Sequence, residues 1–214
     1  MSNMQKWSKN VGSLISYAER IFPDVEIVTR NISGTITKSN YGEVAKRAKK
    51  LGSSLEKYGI KHGQNIGSLA LNTYRNMEMY FGISGMGAVM HTINFRLHPE
   101  QIVYIINHAE NRIIFVETVF APLLEAIQDN CSTVEQYVLL CSEEEMPETK
   151  LKNAISYEEF IKDGDEAYEW PELGEDAPCG LCYTSGTTGN PKGVLYAHKS
   201  NTVSYTHLTL PTKA

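Results

Sequence analysis

The sequence predicts an α/β fold, a mostly parallel sheet flanked by helices. Two observations predict it. Over residues 1–140, segments with apolar residues three or four apart alternate with short apolar runs, the order expected of strands joined by crossover helices. Glycine or proline marks the joints, as at Tyr58-Gly59, His62-Gly63 and Pro99.

The elements follow in order. Val11, Leu14, Ile15, Ala18 and Ile21 make one apolar helix face. A short strand over about 35–37 leads to Ser39, the expected N-cap of the next helix; Glu43 stands four residues beyond it, so a strict capping box is not formed. That helix runs from Tyr41 to Tyr58, with Tyr41, Val44, Ala48, Leu51, Leu55 and Tyr58 on one side and a stop at Gly59. The cations of Lys46-Arg47-Ala48-Lys49-Lys50 then fall mostly on its solvated side. A strand over 65–71 precedes a helix over 74–87, where Gly82, Ser84, Gly85 and Gly87 predict close backbone packing. Next come a strand over 89–93, a helix opened by Pro99 with Ile102, Val103, Ile106 and Ala109 facing inward, and a buried strand over 112–116. A helix over 121–130 and a strand over 134–141 complete the run.

From Ser142 to Ala177 the composition changes. Thirteen of the 25 acidic residues lie there against three lysines, with Pro147, Pro171 and the turn Lys162-Asp163-Gly164-Asp165. The segment reads as an acidic surface excursion with one short helix near 157–161, and its acidic spacing does not match a calcium loop. Residues 203–214, from Val203 to Ala214, read as a non-native read-through tail and are left out of the fold.

The bulk figures narrow the function classes. With 214 residues, 42% hydrophobic and 21% charged, the chain can build one large domain or two small ones. It holds no run of about 18 apolar residues and no apolar stretch behind Lys6, so neither an integral membrane span nor a secretory leader is expected, and a cytoplasmic location is. A net charge of −5 argues against nucleic acid as the main partner. The four cysteines, Cys131, Cys141, Cys179 and Cys182, are expected to be reduced. Cys179-Gly-Leu-Cys182 has the spacing of a redox pair or half a zinc site. However, it runs into a strand-like stretch instead of opening a helix, which weakens both readings.

Chemistry concentrates in Tyr183-Thr-Ser-Gly-Thr-Thr-Gly-Asn-Pro-Lys-Gly193. A strand ends here in a loop with three glycines, four hydroxyls and one lysine. Gly186, Gly189 and Gly193 permit backbone conformations that aim successive N–H groups into one concavity. Thr184, Ser185, Thr187 and Thr188 add hydroxyls, and Lys192 adds a mobile positive charge. Donors with a cation and no nearby carboxylate suit a polyphosphate. A Walker A loop is excluded, because Pro191 precedes the lysine and Gly193 follows it. Ser185 has no Gly-x-Ser-x-Gly frame and no assignable histidine, so a nucleophilic serine is the poorer reading.

Thr184 to Gly193 resembles the phosphate-loop signature of the adenylate-forming superfamily of AMP-dependent synthetases and ligases. Three upstream stretches, Leu71-Asn-Thr-Tyr-Arg-Asn76, Gly85 to Asn94 and Leu97 to Glu110, resemble its fatty-acyl-CoA synthetase branch. The likeness covers about residues 10–202; one departure is Phe95, where the family usually has proline. The resemblance implies that residues 1–202 form an incomplete AMP-binding (adenylation) domain, the first part of the N-terminal large domain, ending at the phosphate loop (184–193). It further implies that a carboxylic acid, ATP with Mg2+ and coenzyme A are the reactants. Thr184, Ser185, Gly186, Thr187, Thr188, Gly189 and Lys192 would bind the ATP phosphates. The adenine, ribose, magnesium and coenzyme A contacts and the catalytic lysine would lie downstream, so no catalytic residue is assigned in this chain, and the fragment alone is expected to be inactive. His198, where the family often has histidine, is expected to start a helix or to pack. An acyl-AMP or aryl-acid adenylating ligase is the alternative within the superfamily. A non-catalytic phosphate-binding fragment is the alternative outside it.

Overall fold

The computed structural model describes residues 10–184 and 190–202. Helix α1 (Val11–Ile21) is capped by Asn10, whose side chain accepts from the Ser13 N–H. Strands β1 (Glu26–Arg30) and β2 (Ile36–Asn40) pair antiparallel as a separate two-stranded sheet. Helix α2 (Tyr41–Tyr58) is capped by Asn40, not by the expected Ser39. Asn40 accepts the Glu43 N–H at 2.8 Å, and Ser39 instead donates its hydroxyl to the Glu43 carboxylate. The helix ends as expected at Gly59, whose φ of 93° lies in the left-handed region that favours glycine.

The main sheet contains β3 (Asn65–Leu69), β4 (Val89–Thr92), β5 (Ile113–Val116), β6 (Gln136–Leu139), β7 (Ala154–Ser156), β8 (Pro178–Thr184) and β9 (Lys192–Ala197). Their spatial order is β7-β6-β5-β3-β4-β8-β9, parallel throughout except for the antiparallel β8–β9 pair. Helix α3 (Tyr74–Gly85) links β3 to β4, α4 (Pro99–His108) links β4 to β5, and α5 (Ala121–Ile127) links β5 to β6. A short α6 (Tyr157–Ile161) follows β7.

Strand alternation distributes the core onto two faces. Phe115, Val138 and Leu140 pack with Leu51 and Leu55 of α2, Met79 and Ile83 of α3 and Tyr157 of α6. Ile114, Val116 and Leu139 pack with Ile102, Ile105 and Ile106 of α4 and Leu124 of α5. The result is a three-layer α/β/α arrangement, the fold class that the sequence predicts. Glycine on α3 serves the close approach expected of it. A Cβ on Gly82 would stand 2.8 Å from the Ala48 carbonyl, and one on Gly85 would stand 2.8 Å from the Trp170 ring.

The acidic segment 142–177 is drawn further into the fold than a surface excursion would be. It supplies edge strand β7, the wholly buried Tyr157, and Trp170, which packs against Gly12, Gly52 and Gly85 of three helices. Its acidic residues remain mostly at the surface. Leu14 and Ile21, expected to face inward from α1, are 40% and 48% exposed, and Phe22, Val25, Val28 and Ile36 are exposed as well. No helix among the described residues is long and apolar enough to cross a membrane.

Candidate functional site

Strand β8 crosses the sheet beside β4 and turns back through the motif into β9. Thr184 pairs with Lys192 in the register of this hairpin, and Tyr183 pairs with Gly193. The Thr184 Oγ1 donates to the Lys192 carbonyl at 3.4 Å. Both side chains are exposed at the mouth of the loop. The structure therefore brings together the first and last of the site residues expected from the sequence, as neighbours across two strands. Ser185, Gly186, Thr187, Thr188 and Gly189 lie outside the described residues.

The chain leaves the loop as strand β9 and not as a helix, in keeping with the exclusion of a Walker A loop. Gly193 is a correction. It does not shape the loop; it lies within β9 at an ordinary negative φ. Space explains it better, because a Cβ there would stand 3.1 Å from Leu181 Cδ1 and 3.3 Å from the Tyr183 ring.

Tyr183, next to the loop, is held by residues far away in sequence. Its hydroxyl lies 2.6 Å from His108 Nδ1 at the end of α4, and its ring centroid is 5.0 Å from that of His91 on β4. His91 is wholly buried and shares a 2.8 Å hydrogen bond with Asn111, while burial pushes its pKa down to about 4 and keeps it neutral. Sequence reasoning missed these contacts. His91 and His108 are separated from Tyr183 by several elements, and no spacing pattern links them.

His198 begins a helical turn over 198–202 and is fully buried. Its Nδ1 accepts the Val11 N–H at 3.1 Å, and burial lowers its pKa. This ties the start of α1 to the far end of β9 and places the histidine in packing. The two thiols of the C-x-x-C have separate partners along β8. Cys179 Sγ lies 2.9 Å from Asn201 Nδ2, and Cys182 Sγ lies 3.1 Å from Thr92 Oγ1. Burial pushes Cys131 and Cys141 up to about 11, which keeps them as unreactive thiols. Among the described residues, no group of three or more His, Cys, Asp or Glu side chains could hold a metal ion.

The basic run on α2 also differs from its expected solvation. Arg47 meets Glu78 Oε1 at 2.7 Å and grips Glu158 with both terminal nitrogens, while Arg75 reaches Glu158 at 3.3 Å. Lys49 pairs with Glu19 at 2.7 Å.

A model of the AMP-binding enzyme family matches residues 17–212, reaching into the 203–214 segment. Over 190 residues the chain is 46% identical to a 3-methylmercaptopropionyl-CoA ligase of Ruegeria lacuscaerulensis, covering 89% of this chain and 35% of that one. It is 40% identical to a medium-chain-fatty-acid–CoA ligase of Ectopseudomonas oleovorans, covering 94% of this chain and 37% of the relative. The chain thus spans little more than a third of the length of these relatives. Among solved structures, an anthranilate CoA ligase bound to anthranoyl-AMP superposes with a TM-score of 0.80 at 25% identity, over 91% of this chain and 36% of that one. A long-chain-fatty-acid-CoA ligase from Archaeoglobus fulgidus shares the fold with a TM-score of 0.82 at 19% identity, over 99% of this chain and 41% of that one. On the extent of the family match and the identity to these relatives, the chain belongs to the AMP-binding enzyme family.

Proposed function

We propose that this chain is the first part of an acyl-CoA ligase that activates a fatty or related carboxylic acid with ATP and passes it to coenzyme A. The observation that carries the reading is the β8–β9 hairpin, which sets Thr184 directly opposite Lys192, both exposed, at the two ends of the glycine- and hydroxyl-rich loop. The names of the relatives, coenzyme A ligases of 3-methylmercaptopropionyl, medium-chain and long-chain fatty acyl groups, support it.

In the proposed first step, a carboxylate oxygen bonds to the α-phosphorus of ATP as the bond from that phosphorus to the bridging oxygen breaks, releasing pyrophosphate. In the second, the thiolate of coenzyme A bonds to the acyl carbon and AMP leaves. The first step is served chiefly by positioning and charge neutralisation. Thr184, Ser185, Thr187 and Thr188 would donate to the β- and γ-phosphates, Gly186 and Gly189 would let the backbone approach, and Lys192 would offset their charge. The fit rests on donor chemistry: an exposed hydroxyl and an exposed ammonium stand at the strand ends. Mg2+ would accompany the ATP and further neutralise its phosphates. A cytoplasmic location is part of the same proposal, supported by four free cysteines.

The test is thioester formation by the complete gene product, with ATP, free coenzyme A and acids from short to long. Acyl-CoA formation with at least one acid supports the reading. Acyl-AMP formed without transfer to free coenzyme A would make the protein an acyl-AMP ligase instead.

A further inference from the structure

Tyr183 stands one residue before Thr184 on β8, and its partner across the hairpin, Gly193, stands one residue after Lys192. Whatever holds this tyrosine therefore holds the stem from which both exposed site residues project. Contacts from three elements meet at its side chain. From α4, His108 Nδ1 lies 2.6 Å from the hydroxyl. From β4, the buried His91 ring lies beside it with centroids 5.0 Å apart. From β9, Gly193 leaves room for the ring, since a Cβ there would stand 3.3 Å from it. Tyr104, one turn before His108 on α4, sets its own ring centroid 5.4 Å from that of the imidazole and so supports it.

Packing accounts for the ring but not for the hydroxyl. The ring joins Val89, Ala109 and Leu181 in a small apolar cluster, and a phenylalanine would fill the same space. The bond from the hydroxyl to the imidazole lies on the exposed side, where water would satisfy both groups if they were apart. Such a bond adds little burial. What it adds is direction, because it ties the last turn of α4 to β8 at the residue before Thr184.

The chemistry of the pair makes the tie a steady one. Burial, and after it the nearby Tyr104, raise the Tyr183 pKa, so the phenol keeps its proton. Its hydroxyl donates to Nδ1 when that nitrogen is bare and accepts from it when it carries a hydrogen. The tie is therefore kept in either protonation state of the imidazole. A polyphosphate site gains from this, because donors already in place bind with less loss of freedom. Molecules with Thr184 and Lys192 out of alignment lower the apparent affinity in proportion to their fraction.

We infer that His108 is a positioning residue for polyphosphate binding: through the Tyr183 hydroxyl it fixes the stem of the β8–β9 hairpin, and with it Thr184 and Lys192, in the arrangement that takes up the β- and γ-phosphates. The inference rests on the reading of this hairpin as a polyphosphate site and is independent of which acid is activated. His108 acts through Tyr183 and needs no contact with the nucleotide.

The experiment is isothermal titration calorimetry of the complete gene product with magnesium ATP, inorganic tripolyphosphate and AMP. AMP lacks the β- and γ-phosphates and is the internal control. Tyr183→Phe removes the hydroxyl and keeps the ring. It is expected to weaken ATP and tripolyphosphate binding about three- to tenfold, the loss of one ordinary hydrogen bond, with AMP affinity and far-ultraviolet circular dichroism unchanged. His108→Ala is expected to do the same, and the double variant to bind no more weakly than either single one. His108→Asn, whose side-chain amide can stand where Nδ1 stands, is expected to restore most of the affinity, and with Tyr183→Phe it carries the test if His108→Ala does not fold. Parent-like affinity for both polyphosphates in Tyr183→Phe, an equal loss for AMP, or full additivity of the two substitutions would overturn the inference while leaving the hairpin a phosphate site. A parent protein that binds neither ATP nor tripolyphosphate would instead remove the polyphosphate reading itself, and this inference with it.

Discussion

Glu78 is wholly buried on α3, and the guanidinium that meets it comes from Arg47, inside the basic run of α2. Removing Arg47 would leave the carboxylate without its charge partner. Arg47→Ala is therefore expected to cost about 3–5 kcal/mol in urea unfolding at neutral pH. Burial raises the Glu78 pKa despite Arg47, so the loss should shrink at acid pH, where Glu78 takes up a proton. His91 gives the opposite slope. Its folded pKa of about 4 lies below the ordinary 6.5, so its contribution is present above about pH 6.5 and is lost as pH falls towards 4. His91→Gln is expected to flatten the stability profile between pH 6.5 and 4, measured as the urea midpoint at each pH; a profile as steep as the parent's would contradict this. At the loop, Lys192→Ala is expected to raise KM for ATP at least about tenfold without lowering thermal stability, because the side chain is exposed. The lysine and its flanking hydroxyls were legible in the sequence because the motif is contiguous. Arg47, His91 and His108 were not, because their partners are 31, 20 and 75 residues away.

Among the elements, the long amphipathic helices were legible and the weak strands were not. α2 and α4 carry uninterrupted apolar faces and clear stops. Strand β1 carries one buried residue among five, so no alternation marks it, and β7 has three residues within an acidic run. The segment after β6 reads as surface because its acidic residues outnumber the few side chains that anchor it. Those few matter: Trp170 fills a socket whose floor is Gly12, Gly52 and Gly85. Gly85→Ala would press a methyl group to 2.8 Å from the indole and is expected to destabilise by about 1–3 kcal/mol. Combining it with Trp170→Ala should recover part of that loss, a coupling visible in a double-mutant cycle. Strict additivity of the two substitutions would show that the indole is not what the glycine accommodates.

For the whole molecule, the sheet ends at β9, which exposes Val194, Leu195 and Tyr196 at 39%, 61% and 43%. Leu14 and Ile21 of α1, Val28 of β1 and Ile36 of β2 are exposed too. A protein cut to Met1–Thr202 is accordingly expected to form no acyl-adenylate and to aggregate on purification, checked by size-exclusion chromatography. Monomeric, adenylating Met1–Thr202 protein would contradict both expectations. The fold class was legible because alternation of elements fixes a parallel sheet. The strand order was not, because the crossing from β4 over β3 to β5 leaves no mark in local pattern.

The β8–β9 loop is proposed to serve adenylation of a carboxylic acid. The most direct measurement is carboxylate-dependent exchange of labelled pyrophosphate into ATP by the complete gene product, across acids from short to long chain. Exchange is expected with at least one acid and not without acid, with a marked loss in Lys192→Ala. Absence of exchange with every acid, in a folded product, would contradict it.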